Sequence, residues 1–204
     1  MPLISNLGQL TSRIAREIGR QDMDLEIREA IEAAIEEYSD EPLWFLEFVS
    51  TGLVTVAGTA SYALGVNLIE IDEITITDGD DQYPLDEIAW EQYRWLQTDE
   101  SEQQGRPCEY AKFDEKIWLY PTPDQAFPYT IYGRERLAAL ALPSDTNAWI
   151  TYAWQLLYAR VCQQLGEPGR IQLHMINERE ALKRLLRKST ARMTSGRIMP
   201  RAVA

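Results

Sequence analysis

Histidine is nearly missing from this chain of 204 residues, with His174 as its single representative. It stands inside a predicted helix with no accompanying motif, which points to a packed or surface side chain rather than a catalytic base. Cysteine is almost as scarce. Cys108 and Cys162 lie far apart in unlike contexts that do not suggest a disulfide framework, and neither flank matches a zinc ligand set. Both are expected to be reduced, packed thiols of a protein made in a cytosol. No apolar run approaches the ~20 residues needed to cross a bilayer, so no membrane partner is expected. The first ten residues, MPLISNLGQL, lack the basic start and apolar core of a secretory signal. The Gly-x-Ser-x-Gly elbow, the P-loop, His-Glu-x-x-His and the dinucleotide fingerprint are all absent, as are internal repeats and low-complexity tracts. Thr51-Gly52 and Val56-Ala57-Gly58 read as turns rather than a phosphate cradle, and Asp78-Gly79-Asp80-Asp81 is too short for a calcium loop. No catalytic, cofactor or metal site is expected.

Positive charge is also in deficit. The chain holds 20 Lys/Arg against 32 Asp/Glu, a net charge of −12, which argues against broad nucleic-acid binding. The deficit is unevenly spread. Residues 1–133 carry 8 basic and 27 acidic side chains, and residues 134–204 carry 12 and 5. One reading is a solvated acidic surface plus a basic helix. The other is a polar molecule that assembles head-to-tail or docks its basic end on an acidic partner.

What is present suits one domain, or one domain carrying an insertion, with a hydrophobic share of 45% that supports a buried core. Ser5 or Asn6 caps a predicted helix over Leu7–Ile18, with Leu7, Leu10, Ile14 and Ile18 on one stripe and Gly19 as its stop. A second helix runs from Asp22 or Asp24 to Tyr38. Ile27, Ile31, Ala34, Ile35 and Tyr38 face inward, and Glu26, Glu29, Glu32, Glu36 and Glu37 fill the remainder. Pro42 closes that block. From Trp44 to Ile76 the bias is β-like, and Thr77-Asp78-Gly79-Asp80 is a turn across which Tyr83–Leu85 pairs back. Asp86–Gln97 reads as a helix capped by Asp86, and Thr98–Gln104 as a mobile polar loop.

Gly105 to Arg134 reads as a three-strand unit with tight corners: Pro107–Lys112, Ile117–Tyr120 and Tyr129–Arg134. Phe113-Asp114-Glu115-Lys116 makes the first turn, and Pro121 and Pro123 end the middle strand because neither has an N–H to donate. Asn147–Leu165 is a broadly apolar helix expected at the centre of the core. After a break at Gly166–Gly169, a last helix runs from Arg170 to about Arg192. Ile171, Met175, Ile176, Leu182, Leu185 and Leu186 point inward, and Arg179, Lys183, Arg184, Arg187 and Lys188 outward. Past Met193 the periodicity stops. The expected fold is α+β: a helical bundle from the N- and C-terminal helices, an inserted small antiparallel β-rich unit, and an extended C-terminal arm. Its parts are residues 1–42, 43–136, 143–192 and 193–204 of a single domain 1–204.

The pattern Gly105-x-Pro107-x-x-Tyr110, followed by Ile117-Trp118-Leu119-Tyr120-Pro121-x-Pro123-Asp124, resembles the head-to-tail adaptor (connector) proteins of tailed bacteriophages, which sit beneath the portal ring. Val54–Leu64 and Tyr83-Pro84-Leu85 fit the same plan. Gly65 departs from it, standing where the family pattern leads one to expect proline. The resemblance implies a non-enzymatic virion protein of the neck, assembled in the cytoplasm of a bacterial host. It implies a homo-oligomeric ring, commonly of twelve copies, that binds the portal protein and the tail or nozzle/stopper proteins and passes double-stranded DNA. Pro107, Tyr110, Trp118, Tyr120, Pro121 and Pro123 would then shape the β unit. The C-terminal arm, through Arg192, Arg197, Ile198, Met199 and Arg201, would reach the portal or a neighbour, and Glu29, Glu32 and Glu36 would face the lumen or an adjacent subunit.

Two other readings stay open on residue type. The carboxylate pairs Glu32/Glu36 and Glu37/Asp40 match the minimal equipment of a peptidoglycan-cleaving hydrolase. The basic stripe Arg179–Arg192 could bind nucleic-acid phosphates, with Trp118, Tyr120, Tyr129 and Tyr132 either stacking bases or packing a core or subunit interface.

Overall fold

Asn6 and Gly19 bracket the first helix. In the computed structural model, which describes residues 4–65, 67–98 and 104–196, the Asn6 side chain accepts a hydrogen bond from the Gln9 N–H (2.9 Å), and Gly19 stops the helix at φ 69°. Among the described residues there are five helices: α1 (Leu7–Ile18), α2 (Asp24–Tyr38), α3 (Trp90–Leu96), α4 (Ala148–Leu165) and α5 (Ile171–Gly196). The eight strands are β1 (Glu47–Val54), β2 (Ser61–Ala63), β3 (Leu68–Asp78), β4 (Asp81–Pro84), β5 (Asp86–Glu87), β6 (Glu109–Phe113), β7 (Lys116–Tyr120) and β8 (Pro128–Glu135). The fold is α+β. Two compact units divide the chain: Met1–Leu46 with Leu137–Ala204, and Glu47–Arg136.

In the helical unit α4 is the centre, with α1, α2 and α5 each packed on it. It buries Trp149, Ile150, Ala153, Leu156, Leu157, Val161 and Cys162 against Leu7, Leu10, Ile14, Ile27, Ile31, Leu43 and Leu46. Asn147 caps α4: its carbonyl oxygen accepts from the N–H groups of Trp149 (3.0 Å) and Ile150 (3.4 Å), and its amide donates to Ala138 O (2.9 Å). Asn147→Ala orphans all three groups at once, so it is expected to cost about 2 kcal/mol in a chemical-denaturation curve. An unchanged midpoint would show the cap to be idle.

α2 starts at Asp24 and ends at Tyr38, as expected, with Asp22 held by Arg20 (3.0 Å) just before it. Two expectations need correction here. Ile176 is 59% exposed, because the inward line of α5 is His174, Ala181, Leu185 and Ser189. The helix also runs on to Gly196 rather than stopping near Arg192. The i→i−4 backbone ladder does not require an apolar period, and Ala191, Arg192 and Met193 all favour helix.

The β unit is built of two four-stranded sheets, ordered β1-β8-β3-β4 and β2-β7-β6-β5. Ile74 and Ile76 of β3, Ile117 and Leu119 of β7, and Tyr129 and Ile131 of β8 meet in one core, so the sheets pack face to face. Pairing is antiparallel except for the short parallel contact of β5 with β6. The β3–β4 hairpin turns at Gly79 (φ 64°), as the Asp-Gly signal predicts. β6 and β7 are joined through Asp114 and Glu115, both left-handed (φ 53° and 55°), the paired conformation that a tight hairpin requires.

β8 does not complete a three-strand unit with β6 and β7. It crosses to the other sheet, between β1 and β3. Pro121 and Pro123 offer no N–H to extend β7, and the Thr55 hydroxyl then fixes the connection by donating to Gln125 O (2.9 Å) and accepting from Phe127 N–H (2.8 Å). Residues 86–89 are likewise not helical. Asp86 N–H donates to Cys108 O (3.0 Å) and Ile88 N–H to Tyr110 O (2.9 Å), so the ladder to β6 claims the backbone, and α3 begins only at Trp90. Most of the predicted polar loop, residues 99–103, lies outside the described residues.

Candidate interaction surfaces

Burial on α2 repeats as the apolar period requires and leaves Leu25, Glu29, Glu32 and Glu36 along its outer face. Glu29 and Glu32 make no salt bridge among the described residues, whereas Arg28 pairs with Asp24 (3.4 Å) and Glu37 with Arg160 (2.8 Å). Glu32, Glu36 and Glu37 are exposed on α2, Asp40 is exposed in the turn that follows it, and Glu37 is tied to Arg160.

The exposed side of α5 carries the opposite sign. Arg179, Lys183 and Arg187 edge a shallow groove whose floor includes Leu182 and Leu186, both partly buried against the core. Nearby, Arg184 donates to Gln155 Oε1 (2.9 Å). Arg192, expected at the portal or a neighbour, lies over the Trp44 ring of its own chain at 3.8 Å, and the Trp44 backbone N–H donates to Ser189 Oγ (3.0 Å). Arg197, Ile198, Met199 and Arg201 fall outside the described residues.

The charge divides with the fold. Residues 47–136 hold 6 Lys/Arg against 18 Asp/Glu, the whole net charge of the chain. The helical unit is neutral in sum yet split, with 4 against 10 in residues 1–46 and 10 against 4 in residues 137–204.

Each β-unit residue singled out in the sequence has a structural neighbour. Pro107 is buried just before β6. Tyr110 is buried opposite Leu119 and donates to Glu87 Oε2 (3.2 Å). Tyr120 pairs with Glu109, and Pro121 follows it through a cis peptide bond. Pro123 is buried and its carbonyl accepts from Gly58 N–H (2.8 Å). Trp118 donates its indole N–H to Phe113 O (3.2 Å) and enters an aromatic cluster. There Trp90 stacks on Phe113 (4.3 Å, 4°) and on Tyr93 (5.3 Å, 11°), with Trp118 tilted against it (5.4 Å). Trp90 and Phe113 carry no local mark of this role, being brought together by the β5–β6 pairing. Tyr129 is buried against Tyr62 (5.8 Å), so it presents no face on which a base could stack.

His174 is buried (3% exposed), edge-on to Tyr158, with Nε2 3.7 Å from Glu17 Oε1. Burial alone would push the Glu17 carboxyl up, but hydrogen bonds from Tyr158 and Arg170, the latter at 2.9 Å, hold it below its ordinary range. This network ties α1 to α4 and α5. Burial pushes the Cys162 thiol up to about 12, so it stays protonated. Cys108 is exposed rather than packed, and its thiol is also pushed up, by partial burial and then by Glu109. Its backbone is held on both sides, its N–H donating to Tyr120 O (2.9 Å) and its carbonyl accepting from Asp86 N–H (3.0 Å). Among the described residues no group of three or more His, Cys, Asp or Glu side chains is placed to hold a metal ion, and no helix is long and apolar enough to cross a membrane.

A family model described as SU10 adaptor protein matches residues 5–201. No curated protein matches the chain.

Proposed function

The chain belongs to the SU10 adaptor protein family, structural head-to-tail adaptors of bacteriophages, and from that premise we propose that its copies close into a ring at the neck of the virion. The ring, commonly of twelve copies in such adaptors, docks on the portal protein, extends the channel for double-stranded DNA and offers a seat to the tail or nozzle/stopper proteins. It is assembled in the cytoplasm of the bacterial host. The family match over residues 5–201 carries this reading.

Charge supports it. A helical unit with an acidic face and a basic face suits head-to-tail assembly, in which one surface meets a different surface of the next copy. A strongly acidic β unit suits a passage for DNA, because walls that repel phosphate do not retain it. The role is one of surfaces, with no bond made or broken. Removing the gene from the phage is expected to give DNA-filled heads without tails, and tailed infectious particles in its absence would overturn the reading.

The arm completes the assignment. Arg197, Ile198, Met199 and Arg201 combine cationic and apolar side chains, the pairing with which a basic arm grips a neighbouring protein. A chain ending at Gly196 keeps all of α5. Its circular dichroism is expected to match the full chain, while its co-sedimentation with portal rings falls at least ~10-fold, about 1.4 kcal/mol of binding free energy. Undiminished co-sedimentation would show that the arm does not hold the portal.

A further inference from the structure

We propose that the outer face of α2 on one copy seats in the groove of α5 on the next, so that neighbouring copies join through a helix–helix contact of opposite charge. This rests on the ring reading and supplies its contact. Three observations converge on it.

The first is the groove itself. Leu182 and Leu186 form an apolar floor that the fold leaves partly open, between Arg179, Lys183 and Arg187, none of which makes an ion pair among the described residues. Phosphate would satisfy the cations but not the leucines. A helix bearing both carboxylates and an apolar side chain satisfies both.

The second is that α2 presents such a surface. Leu25 is 67% exposed, with Glu29 one turn on and Glu32 two turns on, along one line. Ala33, exposed beside them, adds no bulk to hold a partner helix away.

The third is spacing. At ~1.5 Å rise per residue, Leu25 to Glu32 spans roughly 10 Å and Arg179 to Arg187 roughly 12 Å, so apolar and charged groups can meet over the same two turns. Within one copy both helices pack on α4 and these faces look outward, so the partner must be a second copy. Because the two faces differ, the contact is heterologous, and repeating it generates a ring where the rotation between copies closes. The leucines would supply affinity, and the flanking charges would set register and speed encounter.

Two variants of the full chain test this by sedimentation velocity. One carries Arg179→Glu, Lys183→Glu and Arg187→Glu, the other Glu29→Lys and Glu32→Lys. The unmutated chain is expected to sediment as an assembly at low salt and to dissociate as salt rises. Each variant alone is expected to associate at least ~10-fold more weakly, since reversal gives it two faces of one sign. An equimolar mixture is expected to restore association, because the reversed face of each variant complements the unreversed face of the other. All substituted positions are exposed, and circular dichroism checks folding. Should a reversal misfold, the neutral pair Lys183→Gln and Glu32→Gln replaces it, each expected to weaken association in proportion to the charge removed.

A monomer at every salt concentration, a folded reversal that assembles like the original, or a mixture that stays dissociated would each overturn the contact. So would DNA retardation lost on reversing α5 while assembly persists, which would assign the groove to phosphate. Phage that build normal necks with either reversal would sink this contact and leave the adaptor reading standing. Tailed phage lacking the protein would sink the adaptor reading itself.

Discussion

Trp149→Ala is expected to cost the helical unit about 3–5 kcal/mol, a large fraction of the ~5–15 kcal/mol that holds an ordinary domain folded. The side chain is 1% exposed and stands in the first turn of α4, directly behind the Asn147 cap. Its indole meets the edge of Phe45 at 5.1 Å, and Phe45 packs in turn on Trp44 and Tyr152. Truncation removes the largest fully buried side chain of the unit and leaves a void bounded by separate elements. Those elements cannot collapse together without breaking the cap or lifting the 43–46 segment, so most of the cavity cost survives. In urea the midpoint should fall with little change in slope. Trp149→Phe keeps an aromatic edge for Phe45 and is expected to lose about half as much. A Trp149→Ala loss below about 1 kcal/mol would mean that α4 is not the centre of that core.

Gly133→Ala is the second large effect, and it acts on the other unit. Gly133 lies in β8, the strand flanked by β1 and β3, opposite Phe48 on one side and Ile71 on the other. A Cβ there would overlap the Glu70 carbonyl oxygen and come within 3.1 Å of the Phe48 ring. The ring tip can move, but the carbonyl belongs to β3 between two register shifts, so the strand must part from β8. Glu70 also pairs with Arg134, and that ion pair would be displaced with it. Overpacking of this kind is expected to cost about 3 kcal/mol. Amide exchange in β3 and β8 should quicken by two orders of magnitude while α4 amides keep their protection. A stable Gly133→Ala chain with unaltered exchange in β3 would show that the two backbones are not in contact.

Much of the helical unit is legible in residue order. Asn6, the 3–4 spacing of Leu7, Leu10 and Ile14, and Gly19 lie within one short window, and the structure places α1 over the predicted span. The same is true of α4 and of the Asp-Gly turn between β3 and β4. Local rules misled where a distant partner competed. Asp86 has the composition of a cap, but Cys108 and Tyr110 offered backbone acceptors and the segment became β5. Tyr129–Arg134 has the composition of a third hairpin strand, but Thr55 held its approach and β1 and β3 enclosed it. The candidate surfaces divide in the same way. The acidic line of α2 can be counted in the sequence, whereas the groove on α5 depends on how far Leu182 and Leu186 sink against the core.

Residue order therefore dictates the helices, their apolar stripes, the turns and the separation of charge, since each depends on neighbours within about a dozen positions. Folding in space settles which sheet β8 joins, why position 133 admits no side chain, and which leucines of α5 stay open. Those depend on contacts between residues tens of positions apart, where close packing admits a single arrangement and no local pattern marks the partner in advance.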